Sequence, residues 1–192
     1  MTKIIITRKM PFHFESGISI EESKTSRIIS GTLLREGISR NGRIYTIEEM
    51  VKISKQAVGI PIYYGVDLKN RHKKGEPIGK IVRAHFDEKL KTIKFWARIT
   101  SQKIAESVRK GWKVSIGGVA EKAQYILGKF GQLLLKLKNL VLTHVQLLSP
   151  ETQSGVEGAI VEDVEESMNF DNDLRRSEIA AMVAVIVKKR GS

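Results

Sequence analysis

Three side chains in this sequence have the chemistry for acyl transfer: Ser115, His72 and His144. A serine hydroxyl is a weak nucleophile until a neighbouring base takes its proton, and a neutral imidazole is well suited to that near pH 7. A second imidazole can orient the first through a ring hydrogen bond, the part a carboxylate plays in Ser-His-Asp triads. Each of the three is separated from the next by a run of chain long enough for elements of its own. Only the fold can bring them together.

The serine lies in Trp112-Lys113-Val114-Ser115-Ile116-Gly117-Gly118. Side chains alternate across an extended chain, so Trp112, Val114 and Ile116 share one face of a strand, and Lys113, Ser115 and Gly117 the other. The hydroxyl then stands on rigid backbone beside two glycines that leave the main chain uncovered. Beyond them Val119, Ala123, Tyr125 and Leu127 fall on odd positions, whereas the earlier apolar residues are even. A bulge or tight bend at Gly117-Gly118 accounts for the slip. By itself the strand fits a solvated serine equally well.

His72 sits in a polar loop, Asp67 to Pro77, among Lys69, Arg71, Lys73 and Lys74. Composition alone makes it part of a solvated or phosphate-facing basic patch. The same cations favour the neutral imidazole, the form that accepts a proton. His144 belongs to the run Leu140 to Leu148, where Val141, Val145 and Leu147 share one parity and His144 and Gln146 share the other with Leu140 and Leu142. A partly buried imidazole needs partners for its ring nitrogens. A satisfied core histidine and a relay member both meet that need. His13, between Phe12 and Phe14, reads as a strand residue, and His85, beside Arg83, as a surface one.

The elements that must position these residues are mostly strands. Lys3 to Arg8, the segment around Phe12 and Phe14, Arg27 to Leu34, and Ile60 to Tyr64 read as strands. Gly79 to Phe86 and Thr92 to Ile99 form a hairpin, with Ile93, Phe95, Ala97 and Ile99 on one face. Leu133 to Lys138 and Leu140 to Leu148 are two further runs, and Ala159 to Val161 a last short strand. Asn41-Gly42 supplies a tight turn. A helix follows, started by the capping-box pair Thr46 and Glu49, carried by Ile47, Met50, Val51 and Ala57, and stopped by Gly59 and Pro61. A second helix runs from the Thr100-Ser101 cap to Lys110, with Gly111 as its stop. The class is mainly β with peripheral α-helices.

At 192 residues the chain makes one domain, 1–161, with an appendage, 162–192. The appendage opens on the acidic run Glu162, Asp163, Glu165, Glu166, Asp171 and Asp173, which reads as a linker. Leu174 to Arg190, apolar with a basic end, reads as a segment that docks on a partner or on the domain. The net charge of +12 favours polyanionic surroundings, nucleic acid or an acidic protein lattice. The absence of cysteine excludes disulfides, thiolate metal sites and a cysteine nucleophile. The apolar runs Ile4 to Ile6 and Ile179 to Val187 are far short of a membrane span, so the expectation is a soluble, intracellular protein that is not secreted. With no Walker loop, dinucleotide fingerprint or zinc spacing, no cofactor and no metal are expected.

In their order and contexts, His72, Ser115 and His144 resemble the capsid-maturation serine proteases, that is, the prohead proteases of tailed phages and the related herpesvirus assembly protease, assemblin. Asn41-Gly42-Arg43-Ile44-Tyr45 resembles the early Asn-Gly-Arg-x-Tyr signature of the phage members. His72 ahead of Pro77-Ile78-Gly79, Val114-Ser115-Ile116-Gly117, and His144-Val145-Gln146-Leu147 resemble the segments that hold the triad. The likeness covers Ile28 to Val161. It implies a closed, largely antiparallel β-barrel and a Ser-His-His endopeptidase. The implied substrates are scaffold protein, major capsid protein and the enzyme's own ends, met inside a procapsid in the host cytoplasm. A homo-oligomer and incidental nucleic-acid contact stay open as partners, with no membrane. The sequence departs from the pattern at Thr46, where a proline is usual, and at Ser149 to Ser154, where assemblin has an arginine that helps bind the oxyanion. Gly117, Gly118 and the 149–154 loop are therefore the candidates for oxyanion and substrate contacts. The alternative is a non-enzymatic basic β-barrel that binds nucleic acid or scaffold inside a capsid.

Overall fold

The computed structural model describes residues 26–66, 72 and 75–166. The strands read at Lys3 to Arg8 and around His13, and the segment Leu174 to Arg190, lie outside these. In chain order the elements are β1 (Arg27–Arg35), β2 (Gly37–Ile38), β3 (Arg43–Tyr45), α1 (Ile47–Gln56), β4 (Pro61–Tyr64), β5 (Gly79–Asp87), β6 (Thr92–Ile99), α2 (Gln102–Ser107), β7 (Lys113–Leu127), β8 (Leu133–Leu148) and β9 (Val161–Glu166). The protein is mainly β with two helices among the described residues.

One mixed sheet holds the strands in the order β2-β3-β8-β4-β5-β6-β1-β9, with β7 along the other edge of β8. The centre is an antiparallel meander: β6 pairs with β5 on one side and β1 on the other. Ile93, Phe95, Ala97 and Ile99 of β6 are fully buried, as the alternation requires. β3 and β4 both run parallel to β8, at Leu135-Lys136 and at Val145 to Leu147 respectively. These ladders leave the sheet open, so the closed ring implied by the resemblance is not seen in the strand pairing.

β8 organises the molecule because it is long enough to take three neighbours. Between its pairings with β3 and β4, no strand among the described residues covers that edge, and α1 supplies partners there. Glu49 accepts from the Leu140 N–H at 3.0 Å, and Gln56 Nε2 donates to the Leu140 carbonyl at 3.4 Å. The same helix buries Met50 and Ile53 in the core, joined by its C-cap residue Ala57. Thr46 caps it, accepting from the Glu49 N–H at 3.5 Å.

Four details depart from the sequence reading. α2 stops at Ser107 instead of Lys110, because Val108 turns extended and is wholly buried. Leu133 to Leu148 is a single strand that passes through Asn139 at a φ of 52°. The odd-numbered Val119, Tyr125 and Leu127 lie exposed on β7, at 62%, 68% and 75%, so their apolar row is not turned into the core. Finally, the acidic run does not begin as a linker. Glu162 to Glu166 lie in β9, paired with β1, and Lys94 Nζ meets Glu162 Oε1 at 2.7 Å. Among the described residues no helix is long and apolar enough to cross a membrane.

Candidate active site

The site is assembled on the β7–β8 ladder, where Ser115 lies opposite Gln146 and Gly117 opposite His144. Directly opposed residues of an antiparallel pair project to the same face, so the serine and the histidine share it. Glycine at 117 makes room for the imidazole: a Cβ there would sit 2.0 Å from His144 Cε1 and 2.2 Å from Nε2. The ring therefore lies across the Gly117 backbone. It is buried, and Tyr63 of β4 packs edge-on against it at 6.0 Å between centroids.

His72 arrives from the other side. β4 runs parallel to β8, and the Gly65 N–H just beyond it donates to the Leu147 carbonyl at 3.0 Å. The buried Gln146 side chain donates to the Gly65 carbonyl. Val66, the next residue, forms an isolated antiparallel bridge with His72. The chain that leads to His72 is thus fixed to the strand that carries His144. The two imidazoles meet edge to face, with 84° between their planes.

The outcome is a continuous chain of polar atoms. His72 Nε2 lies 2.9 Å from Ser115 Oγ, and His72 Nδ1 lies 2.8 Å from His144 Nε2. All three sequence-predicted residues are therefore brought together, with the geometry of nucleophile, base and orienting group. His144 is more deeply buried than its strand parity suggests, and its partners include His72 at Nε2 and Thr143 at Nδ1.

The register slip expected near Gly117-Gly118 is present, but the extra residue is on the partner strand. Gly117 pairs with His144 and Gly118 with Leu142, which leaves Thr143 unpaired in the ladder. β7 thus keeps its own alternation, the reason its odd apolar residues stay outside. Gly118 is needed for close approach as well, since a Cβ there would be 2.4 Å from the Val141 carbonyl oxygen. Contact with β8 accounts for glycine at both positions without a passing substrate.

Ser115 and His72 open onto a cleft of about 570 Å³. Its lining also includes Glu151, Thr152, Gln153 and Ser154 of the 149–154 loop, together with Arg40 and Asn41. The turn at Ser39 to Gly42 is closed by the Gly42 N–H donating to the Ser39 carbonyl at 2.9 Å, with Gly42 at a φ of 69°. The Arg40 N–H then donates to the Gly155 carbonyl at 2.9 Å, docking the turn on the loop. Arg40 and Asn41 could not be assigned to the cleft from sequence; the Asn-Gly pair signalled a turn but not what it faces. Thr143 had no signal at all, because its place depends on the slip in register. Comparison with protein-family models, with curated proteins and with solved structures finds no match.

Proposed function

We propose that the protein is a serine endopeptidase with Ser115 as nucleophile, His72 as general base and His144 as the group that orients His72. The observation that carries this reading is the unbroken chain Ser115 Oγ, His72 Nε2, His72 Nδ1, His144 Nε2, at 2.9 and 2.8 Å. Ser115 Oγ attacks a peptide carbonyl as its proton passes to His72 Nε2. The imidazolium returns that proton to the leaving amine, and the peptide C–N bond breaks to leave an acyl-serine. Water, deprotonated by the same nitrogen, then releases the acid. His144 brings no fixed negative charge, so it stabilises the imidazolium less than a carboxylate would, and a slow enzyme is expected. Donors to the oxyanion belong on the cleft side of Ser115, where the 149–155 loop, Asn41 and Arg40 converge.

The resemblance to capsid-maturation proteases extends the proposal to substrate and setting: scaffold and major capsid proteins, and the chain's own ends, within a procapsid. The closed barrel of that family would have its seam where Lys113 of β7 bridges Ile160, just ahead of β9. Co-expression of Ser115→Ala with a scaffold substrate tests the reading. Cleavage should be abolished while the circular dichroism spectrum is kept, and continued cleavage by the folded variant would end the proposal.

A second reading has its own observation. Lys122 stands directly opposite Lys138 on the hairpin, with Lys136 two residues further along β8, in a molecule of net charge +12. Like charges so placed repel, and a polyanion would relieve them. A steep loss of DNA affinity with added salt, unaffected by Ser115→Ala, supports this binding role.

A further inference from the structure

We propose that Thr143 fixes the tautomer of both histidines and so sets the direction in which protons move between them and Ser115; this rests on the reading of Ser115, His72 and His144 as a triad. A carboxylate in the third position could only accept a hydrogen bond, which would leave one tautomer open to the base. An imidazole can either donate or accept. Two histidines in series therefore have two self-consistent arrangements, and only one of them works. If His144 is protonated on Nε2, it donates to His72 Nδ1. His72 must then carry its proton on Nε2, where it faces Ser115 as a donor and can take nothing from it. If His144 is protonated on Nδ1, the order reverses and His72 Nε2 is bare.

Thr143 decides between these arrangements. It is the unpaired residue of the register slip, so its side chain turns back over the ladder instead of joining a cross-strand pair. Its hydroxyl donates to the Gly117 carbonyl at 3.1 Å and lies 2.9 Å from His144 Nδ1. One hydroxyl has one proton. With that proton on the Gly117 carbonyl, Thr143 Oγ1 offers a lone pair to His144, which must hold its proton on Nδ1. His144 Nε2 is then the acceptor for the His72 Nδ1–H at 2.8 Å, and His72 Nε2 is the acceptor for the Ser115 hydroxyl at 2.9 Å. The Gly117 carbonyl thus orients the far end of a relay whose near end is the nucleophile. Gly117 serves the relay twice, through its missing side chain and through its carbonyl oxygen. Thr143 touches neither nucleophile nor base, so it is a positioning residue.

Imidazole ¹⁵N shifts of the full-length protein at neutral pH read the tautomers without any turnover. The wild type should show His144 and His72 both protonated on Nδ1. Thr143→Ser, which keeps the hydroxyl, should show the same. In Thr143→Val the His144 Nδ1–H loses this acceptor, so the preference should reverse toward Nε2, and a fluorophosphonate probe should label Ser115 about 10- to 100-fold more slowly than in Thr143→Ser. Thr143 is exposed, so the valine variant is expected to fold. Wild-type His144 protonated on Nε2, or a valine variant with unchanged tautomers and labelling rate, overturns the inference. The two failures are separable. A reversed tautomer with Ser115-dependent cleavage intact refutes only the role of Thr143, whereas an unreactive Ser115 with the Nδ1 tautomers in place refutes the protease reading and leaves that role standing.

Discussion

Gly117 belongs to no step of the proposed chemistry, yet the triad depends on it. Any side chain there would enter the His144 ring, since even a Cβ would lie 2.0 Å from Cε1. Gly117→Ala should displace the imidazole, slow fluorophosphonate labelling of Ser115 by about 100-fold and cost about 1–3 kcal/mol of stability. Labelling kinetics and a thermal melt check both, and wild-type kinetics in the variant would show that the ring does not need this space. The three residues were legible as a set only through their order and contexts, which resemble those of the capsid-maturation proteases; alone, a serine on a strand's polar face, a histidine in a cationic loop and a histidine on a half-buried parity each fit a structural role as well. Gly117 was legible only as a gap. That the gap belongs to His144 is set by cross-strand register, which one strand's sequence does not encode.

The dependence of β8 on α1 brings the same lesson to the level of elements. Thr46 and Glu49 were readable as a capping box, and the cap forms. The second duty of Glu49, accepting from the Leu140 N–H, joins residues too distant in sequence for any spacing rule to connect. Burial opposes ionisation of this carboxyl. Hydrogen bonds from the Leu140 and Asn139 N–H groups, with Lys52, more than offset it and hold the group below the usual carboxylate range near 4.5. A depressed folded-state value means that the carboxylate stabilises the fold above that range, and that this contribution is lost as pH falls through the folded value. Glu49→Gln should lower the urea midpoint at pH 7, by about 1–2 kcal/mol in stability, and flatten its decline below pH 4.5. Parallel decline in variant and wild type would assign the acid sensitivity elsewhere. The end of α2 at Ser107 has a related cause: burial of Val108 outweighs a helix that its flanking residues would have continued.

At the scale of the whole molecule, the composition change after Val161 reads as a boundary, but the sheet continues through it to Glu166. Thr32 Oγ1 donates to Glu162 at 2.6 Å and Lys94 reaches both, so the first acidic residue of the run ties β9 to β1 and β6. Charge counted along a sequence does not say which charges are paired across a sheet. Among the described residues β1, β4, β5 and β6 lie where β-branched alternation and Gly-centred turns place them, because these are local signals; β2 and β3 read only as turn, and the order of strands and the parallel pairs on β8 are not local. The reactivity proposed for Ser115 is likewise a property of the assembled chain, since serine, base and orienting group come from β7, the segment beyond β4, and β8. The most direct measurement is mass spectrometry of the intact protein after exposure to a fluorophosphonate. A single adduct on Ser115, formed by the native protein and absent both in urea and in His72→Ala, is the predicted result. A native protein that forms no adduct, or one labelled at Ser115 just as fast without the His72 imidazole, would contradict the account.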